Sequence, residues 1–293
     1  VGDCDPRQET AKSMAEMMIG TSLAMPVPTD SELGAARLIV KNLSMASDDP
    51  FGVDLRDISM TVHSGEILGI AGVAGNGQVE LMEALIGERT CDDAGVIEID
   101  GEAIGGKGPT YRRHKGMCSV PEERLGHGAV PEMSLWENTV LTARTRKKMM
   151  QHGFLDLSIA HDFADEIVDK FKVKTAGITH NAGSLSGGNL QKFIVGREIL
   201  QTPTVLVILQ PTWGVDAAAA ADIHRALQEL ARGGAAILAI SQDLDELMAI
   251  STRFAVIADG RLSEPQQTGT LSIEEIGLLM GGVHSSVDAG AST

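Results

Sequence analysis

The apolar run Glu66–Ala71 (EILGIA) leads without a break into Gly72-Val73-Ala74-Gly75-Asn76-Gly77-Gln78-Val79, and Gln78–Ile86 then places apolar residues at helical spacing up to Gly87. A buried strand, a glycine-rich turn and a helix in that order commit the chain to a βα unit. The turn has the outline of the phosphate-binding pattern G-x-x-x-x-G-K-[ST]. In that pattern glycines let backbone N–H groups wrap phosphates, the Lys neutralises them and the Ser/Thr hydroxyl holds Mg²⁺. Here Gly72 and Gly77 stand at the expected places, but Gln78 replaces the Lys and Val79 the hydroxyl. The backbone cradle survives in outline; the charge and the metal ligand do not.

The rest of the chain repeats the α/β theme. Arg37–Met45 and Leu55–Val62 alternate like antiparallel strands around an Asp48-Asp49-Pro50 turn, and Gly95–Asp100 reads as a small strand. Residues 130–182 are charged and helix-forming, with amphipathic helices expected at Ser134–Lys148 and Ser158–Phe171. Then come a helix at Leu190–Leu200, a buried strand at Val205–Leu209, a helix at Ala217–Ala231 and a strand at Ala235–Ile240. A short helix at Leu244–Ile250 and a strand at Phe254–Ala258 complete the series. Such alternation implies a mostly parallel sheet covered by helices, interrupted by a helical insertion. Ahead of it, Ala11–Ile19 has helical rhythm and Pro26-Val27-Pro28 breaks it, whereas Val283–Thr293 is small and polar and is expected to be disordered.

Charge and composition exclude several functions. A net charge of −16 and 3% aromatic residues leave neither a basic patch nor stacking platforms for nucleic acid, and the short basic stretch Arg144–Lys148 does not reverse this. Cys4, Cys91 and Cys118 are odd in number and widely separated, so reduced thiols are expected in place of a disulfide framework or zinc site. No apolar run reaches the ~18 residues of a membrane span, so membrane association is expected to go through another protein. Asp48-Asp49 and Asp92-Asp93 read as solvated turns, and Met14, Met17 and Met18 as packing residues.

A second motif, Leu185-Ser186-Gly187-Gly188-Asn189-Leu190-Gln191, opens an apolar-periodic helix. A hydroxyl and free N–H groups at the positive end of a helix suit an anion, while an ordinary Ser N-cap on a flexible loop explains the same residues equally well. Taken with the upstream glycine turn, the motif resembles the signature of ATP-binding-cassette (ABC) ATPases, over roughly Arg37 to Gly282. By that resemblance Gly72–Val79 corresponds to Walker A, with Gly72, Gly75, Asn76, Gly77, Gln78 and Val79 around bound ATP. Val205–Leu209 with Gln210-Pro211-Thr212 corresponds to Walker B, and Trp213-Gly214-Val215-Asp216 to the D-loop. Ser241-Gln242-Asp243 corresponds to the switch segment, and Val120–Arg124 to the Q-loop. The implied architecture is a P-loop NTPase (RecA-like) α/β core with an antiparallel β layer and an inserted helical subdomain. The implied boundaries are 1–36 for the tail of a preceding cassette plus linker, 37–282 for the cassette (helical subdomain about 130–189) and 283–293 for the tail.

The departures from the family pattern all affect charge, metal or proton handling. Leu209 stands where the family has a Mg²⁺-binding Asp, Gln210 where it has the Glu that polarises water, and Gln242 where it has the switch His. Phosphoryl transfer rests on positioning and electrostatics, so losing these groups together with the Lys and hydroxyl leaves a site expected to be inactive, with Mg²⁺ weak or absent. Ser186, Gly187, Gly188, Asn189 and Asp216 remain, and in the family these act in trans on ATP held by an opposing cassette. The pattern resembles the C-terminal, degenerate half of a tandem sugar- or nucleoside-importer ATPase. Gly188–Phe193, Gln210–Thr212 and Ser241–Glu246 look most similar to the nucleoside-type branch, which works with basic-membrane-lipoprotein receptors. The implied partners are a catalytic cassette, membrane permease subunits touching residues near Glu122–Glu137 and, indirectly, an extracytoplasmic binding lipoprotein, at the cytoplasmic side of the inner membrane. An autonomous nucleotide-sensing module and a soluble non-transport ABC protein are the alternatives. Phe51 is either an adenine-stacking aromatic or a turn residue packed on the sheet.

Overall fold

The computed structural model describes residues 33–270 and Ile276. The helix expected at Ala11–Ile19, the Pro-rich linker and the tail 283–293 lie outside the described residues. Strands β1 (Ala36–Met45) and β2 (Leu55–His63) pair antiparallel as their alternation requires. With β4 (Ile97–Ile99) and β5 (Glu102–Ala103) they form a sheet of order β2-β1-β4-β5. The central sheet is built on β3 (Ile67–Ala71), β6 (Met117–Val120), β9 (Val205–Leu209), β10 (Ala236–Ser241) and β11 (Arg253–Ala258), all paired parallel. Two short strands, β12 (Arg261–Leu262) and β13 (Gln266–Gln267), add antiparallel to β11. Every residue of β3, β6, β9 and β10 is buried, which is why these segments read as continuous apolar runs.

The pleat sorts the central strands onto two cores. Val205, Val207 and Leu209 face the core shared with β1, β2 and helix α1 (Gln78–Ile86). Leu206 and Ile208 face the core shared with helices α3 (Leu135–Ala143), α4 (Leu157–Lys170), α5 (Gly187–Ile199), α6 (Ala217–Arg232) and α7 (Leu244–Ile250). Helix α1 ends against helix α2 (Pro109–His114). The fully buried Arg112 donates to the terminal carbonyls of Ala84 and Leu85 and to Gly105 and Lys107. With no carboxylate beside it, burial pushes the Arg112 guanidinium down to about 10. The glycine-rich turn is thus held by a helix anchored at its far end.

Several elements differ from the sequence reading. Helix α3 stops at Ala143 and does not continue to Lys148; a turn follows, with Lys148 at φ 53°, and then the hairpin β7 (Met150–Gln151) and β8 (Phe154–Leu155). The helical period ran past the true end because Arg144–Lys148 has no Gly or Pro to mark it. Its Arg146 turns away to donate to the carbonyls of Gln201 and Thr202. Helix α2 and β6 fall in a stretch too short and mixed for periodicity to resolve. Two 3₁₀ turns, Ala94–Val96 and Ala182–Ser184, complete the elements.

Candidate functional site

Strand β3 delivers the glycine turn and α1 carries it away, so the turn sits at the carboxyl edge of the central strands, where ligands of open α/β sheets bind. Gly75 (φ 78°) and Gly77 (φ 107°) adopt the left-handed region that the turn requires. Inside it, the Gln78 side chain folds back. Its Oε1 accepts from the Asn76 backbone N–H at 3.0 Å, and its Nε2 donates to the Val73 carbonyl at 2.7 Å. The Asn76 amide reinforces the closure, donating to the same carbonyl at 2.9 Å and accepting from Asp259 N–H at 2.9 Å. The loop that should present bare N–H groups to phosphate carries a carboxamide of its own.

Around this turn the five altered positions converge. Gln78, Val79, Leu209, Gln210 and Gln242 line one cleft with Ala74, Gly75, Glu122, Ile240 and Ser241, and its cavity holds about 40 Å³. That is room for about one water molecule. Gln210 follows β9 with φ 49°, and its Oε1 accepts from Ser241 Oγ at 3.2 Å and from Gln242 N–H at 3.4 Å. Leu209 is buried at 2% exposure in the apolar core beside α1. Val79 is half exposed and offers no oxygen to a metal. Glu122 is the sole titratable residue lining the cleft, and its exposed carboxylate repels phosphate. Among the described residues no group of His, Cys, Asp and Glu is arranged to hold a metal ion. The Lys, hydroxyl and carboxylates that would hold MgATP are replaced here by Gln78, Val79, Leu209 and Gln210, which do not fit that group, and no chemical step is derived through it.

Sequence reasoning placed Glu122 in the Q-loop segment but gave no role to a carboxylate just behind the cleft. Glu246 on α7 is buried and accepts from Ser241 Oγ at 2.7 Å, Thr212 Oγ1 at 2.6 Å and Thr212 N–H at 3.1 Å, with His224 Nε2 at 3.2 Å. Burial raises its pKa, but the hydrogen bonds of His224, Thr212 and Ser241 outweigh it and hold the carboxyl below the usual carboxylate range. An acidic residue five places beyond Ser241 on a short helix was the available signal.

The signature loop is built differently. Ser186 precedes α5, yet its hydroxyl caps no backbone N–H; Asn189 Nδ2 donates to Ser186 Oγ at 2.9 Å, and Asn189 Oδ1 accepts from Lys174 N–H at 2.8 Å. Ser134, Asp156, Asp216 and Asp243 do cap their helices through the side chain. The ordinary-cap reading of Ser186 is therefore not realised. Ser186 and Gly187 are exposed, and Gly188 lies against Gly214 and Val215, so the signature and D-loop are neighbours. Asp216 accepts from Ala219 N–H at 2.9 Å and so serves as a helix cap. Gln191, one turn into α5, donates to the Pro211 carbonyl at 3.0 Å and ties the signature helix to the end of β9. Phe51 is 96% exposed, which corrects the reading that packs it on the sheet.

A parallel sheet carrying a glycine turn on one strand, with a signature-bearing helix between two further strands, is the architecture of an ATP-binding cassette. The chain belongs to the ABC transporter family, whose profile matches residues 55–212. It is 36% identical over 279 residues to the nucleoside import ATP-binding protein NupA of Lactococcus lactis, covering 94% of this chain and 54% of that protein. It is 35% identical over 283 residues to the guanosine import ATP-binding protein NupO of Bacillus subtilis, covering 95% and 54%. A putative ribose/galactose/methyl galactoside import ATP-binding protein of Agrobacterium fabrum follows at 36%, covering 91% and 52%. The chain thus spans about half the length of the curated relatives it matches. A solved ATP-binding subunit of an ABC transporter superposes with TM-score 0.67 at 20% identity, covering 84% of this chain and 99% of that one. A dimeric cassette bound to ADP and Pi superposes at 0.68 and 18% identity, covering 80% and 100%. At these identities the structural likeness shows the fold.

Proposed function

We propose that this cassette is the degenerate half of a bacterial ABC importer ATPase for nucleosides or sugars, and that it supplies Ser186, Gly187, Gly188 and Asn189, with the D-loop at Asp216, in trans to a catalytic cassette. The carrying observation is the Gln78 carboxamide turned back onto Asn76 N–H and the Val73 carbonyl, which fills its own phosphate cradle while the Ser186 hydroxyl stays exposed and free of capping. Any ATP at the cleft is held without a Lys, a metal carboxylate or a general base. The catalytic cassette holds the ATP that is hydrolysed. The relatives' names and the nucleoside-type ordering of the best matches support nucleoside uptake as the first substrate class.

The assembly we infer sits on the cytoplasmic face of the inner membrane. Permease subunits contact the segment around Glu122–Glu137, and an extracytoplasmic binding lipoprotein delivers the solute. Among the described residues no helix is long and apolar enough to cross a membrane, consistent with peripheral attachment. The isolated chain should hydrolyse ATP at background rate, measured by phosphate release. Calorimetry of the same chain with ATP, with and without Mg²⁺, gives the second test. Tight Mg²⁺-dependent binding would replace this reading with that of a nucleotide-sensing module, and turnover like that of an intact cassette would remove it altogether.

A further inference from the structure

We infer that Arg124 is a positioning residue that joins the loop after β6 to both the signature loop and the D-loop. The inference rests on the trans reading above and names a device within it. Residues 123–129 form a compact turn through Gly128 N–H to the Glu123 carbonyl at 2.9 Å, Ala129 N–H to Arg124 at 2.7 Å and Gly126 N–H to Ala129 at 2.9 Å. From this turn the Arg124 guanidinium reaches across two separate loops. A Cβ at Gly187 would meet Arg124 Nη1 at 2.8 Å, and one at Gly214 would meet Nη2 at 3.0 Å. Among the described residues, and apart from its chain neighbours and the backbone of α5, only Arg124 lies within 4 Å of a Cβ at Gly187.

The far side of the same turn is fixed to the other end of the signature helix. Arg197, buried near the carboxyl end of α5, donates through Nη2 to the Gly128 carbonyl at 2.9 Å and through Nη1 to the Asn138 carbonyl of α3 at 3.2 Å. Its Nε pairs with Glu198 at 2.8 Å, and Glu198 pairs with Arg113 at 2.8 Å. The turn at 123–129 therefore touches α5 at both ends, by a buried hydrogen bond at one and by the Arg124 plane at the other. A guanidinium is flat and rigid, so it transmits a displacement of that turn to Gly187 and Gly214 together. Among the described residues it makes no hydrogen bond or ion pair that would tie it elsewhere. Contact with two glycines is what its position provides.

The test uses the complete two-cassette protein with its permease in proteoliposomes. Arg124→Ala should lower kcat for ATP hydrolysis about tenfold while KM moves less than about twofold, the size of effect found for packed coupling residues. Gly187→Ala should lower activity in the wild-type background. In the Arg124→Ala background its effect should shrink, because the only atoms it would strike are gone. Arg124→Lys keeps the charge but loses the plane and should fall between wild type and Ala. Unchanged kcat in Arg124→Ala, or strictly multiplicative losses in the double variant, would overturn the inference. So would a loss carried by KM alone, which would make Arg124 a nucleotide contact. Ser186→Arg in the same preparation separates the two levels. If it leaves hydrolysis intact, the trans reading itself fails; if it abolishes hydrolysis while Arg124→Ala is neutral, the positioning role alone fails.

Discussion

The turn at 72–79 and the loop at 185–189 are both glycine-rich entries to a helix, and the structure uses them in opposite ways. In the first, the fold itself demands the glycines. Gly75 and Gly77 have φ of 78° and 107°, and a Cβ at Gly72 would lie 2.7 Å from Ile257 and from Gln78 Nε2. These residues persist whether or not phosphate binds. In the second, neither Gly187 nor Gly188 has positive φ, and the space beside Gly187 meets only Arg124. Backbone geometry gives no reason for glycine there; at Gly187 the constraint within the fold is the Arg124 guanidinium, 2.8 Å from where a Cβ would sit. Retained glycines are thus poor witnesses to nucleotide binding in the first loop. The loop that lacks the Lys and the hydroxyl is also the better bonded of the two.

The strongest way to break this comparison is to substitute both loops in the assembled two-cassette protein and measure steady-state ATP hydrolysis. On the proposed trans reading, Ser186→Arg should abolish activity by about a thousandfold or more, because it would place a bulky cation where the opposing nucleotide is covered. Val79→Ala should stay within about twofold, because its side chain carries no catalytic charge. Equal losses at the two positions would erase the asymmetry.

Next in size is the support of the signature helix. Glu198 is fully buried between Arg113 and Arg197, with Gln201 Nε2 donating at 3.2 Å. Burial raises its pKa, but the two guanidinium groups outweigh it and hold the carboxyl at about 2, below the reference 4.5. A depressed folded pKa means that this stabilisation is complete above about pH 4.5 and is lost as pH falls toward 2. Glu198→Ala leaves the buried Arg197 and the part-exposed Arg113 without their carboxylate and should cost about 3–5 kcal/mol in urea unfolding at pH 7. It should also remove part of the loss of stability below pH 4.5. A change under about 1 kcal/mol would mean that α5 is held by its apolar face alone.

Much of this was legible in the sequence because it is local or periodic. The βα unit, the buried strands and the order of the glycine turn, signature, Walker B end and switch segment follow from runs of apolar residues and short motifs. The end of α3 was not legible, because the helical period continues through Arg144–Lys148 while Arg146 bonds the distant Gln201 and Thr202 carbonyls. Glu246 and Arg124 escaped for a related reason. Their partners lie on other elements, and nothing at Thr212, His224, Gly187 or Gly214 announces the contact in one dimension. Even Gln78, whose identity was plain, conveyed only a missing charge; that its amide bonds the Asn76 N–H and the Val73 carbonyl is a fact of the turn's geometry.

The closed cradle can be opened directly. Gln78→Ala removes the two hydrogen bonds its carboxamide makes, leaves the Asn76 amide on the Val73 carbonyl, and frees Asn76 N–H. One recovered backbone donor to a phosphate is worth about 1–1.5 kcal/mol, so the isolated chain should bind ATP about tenfold more tightly by calorimetry. Hydrolysis should stay at background, because Leu209 and Gln210 are untouched. No gain in affinity would show that the shape of the cleft, with Glu122 and Leu209 beside it, excludes the nucleotide independently of Gln78.

The smallest effect should come from Asn189, and it bears on the open side of the comparison. The Ser186 hydroxyl rotates freely unless something holds it, and the only group bonding it among the described residues is Asn189 Nδ2 at 2.9 Å. The other end of that amide is pinned by Lys174 N–H, so its orientation is set by the backbone of the preceding loop. Asn189→Ala deletes both exposed hydrogen bonds of its amide and frees the rotor without altering the helix, a change of about 1 kcal/mol. ATP hydrolysis by the assembled protein should fall about fivefold, with thermal stability shifted by no more than about 2–4 °C. If activity and stability fall together in larger measure, Asn189 is a brace for the loop before α5. If activity does not move, the hydroxyl is oriented by the opposing nucleotide, and the loop is less preorganised than its geometry implies.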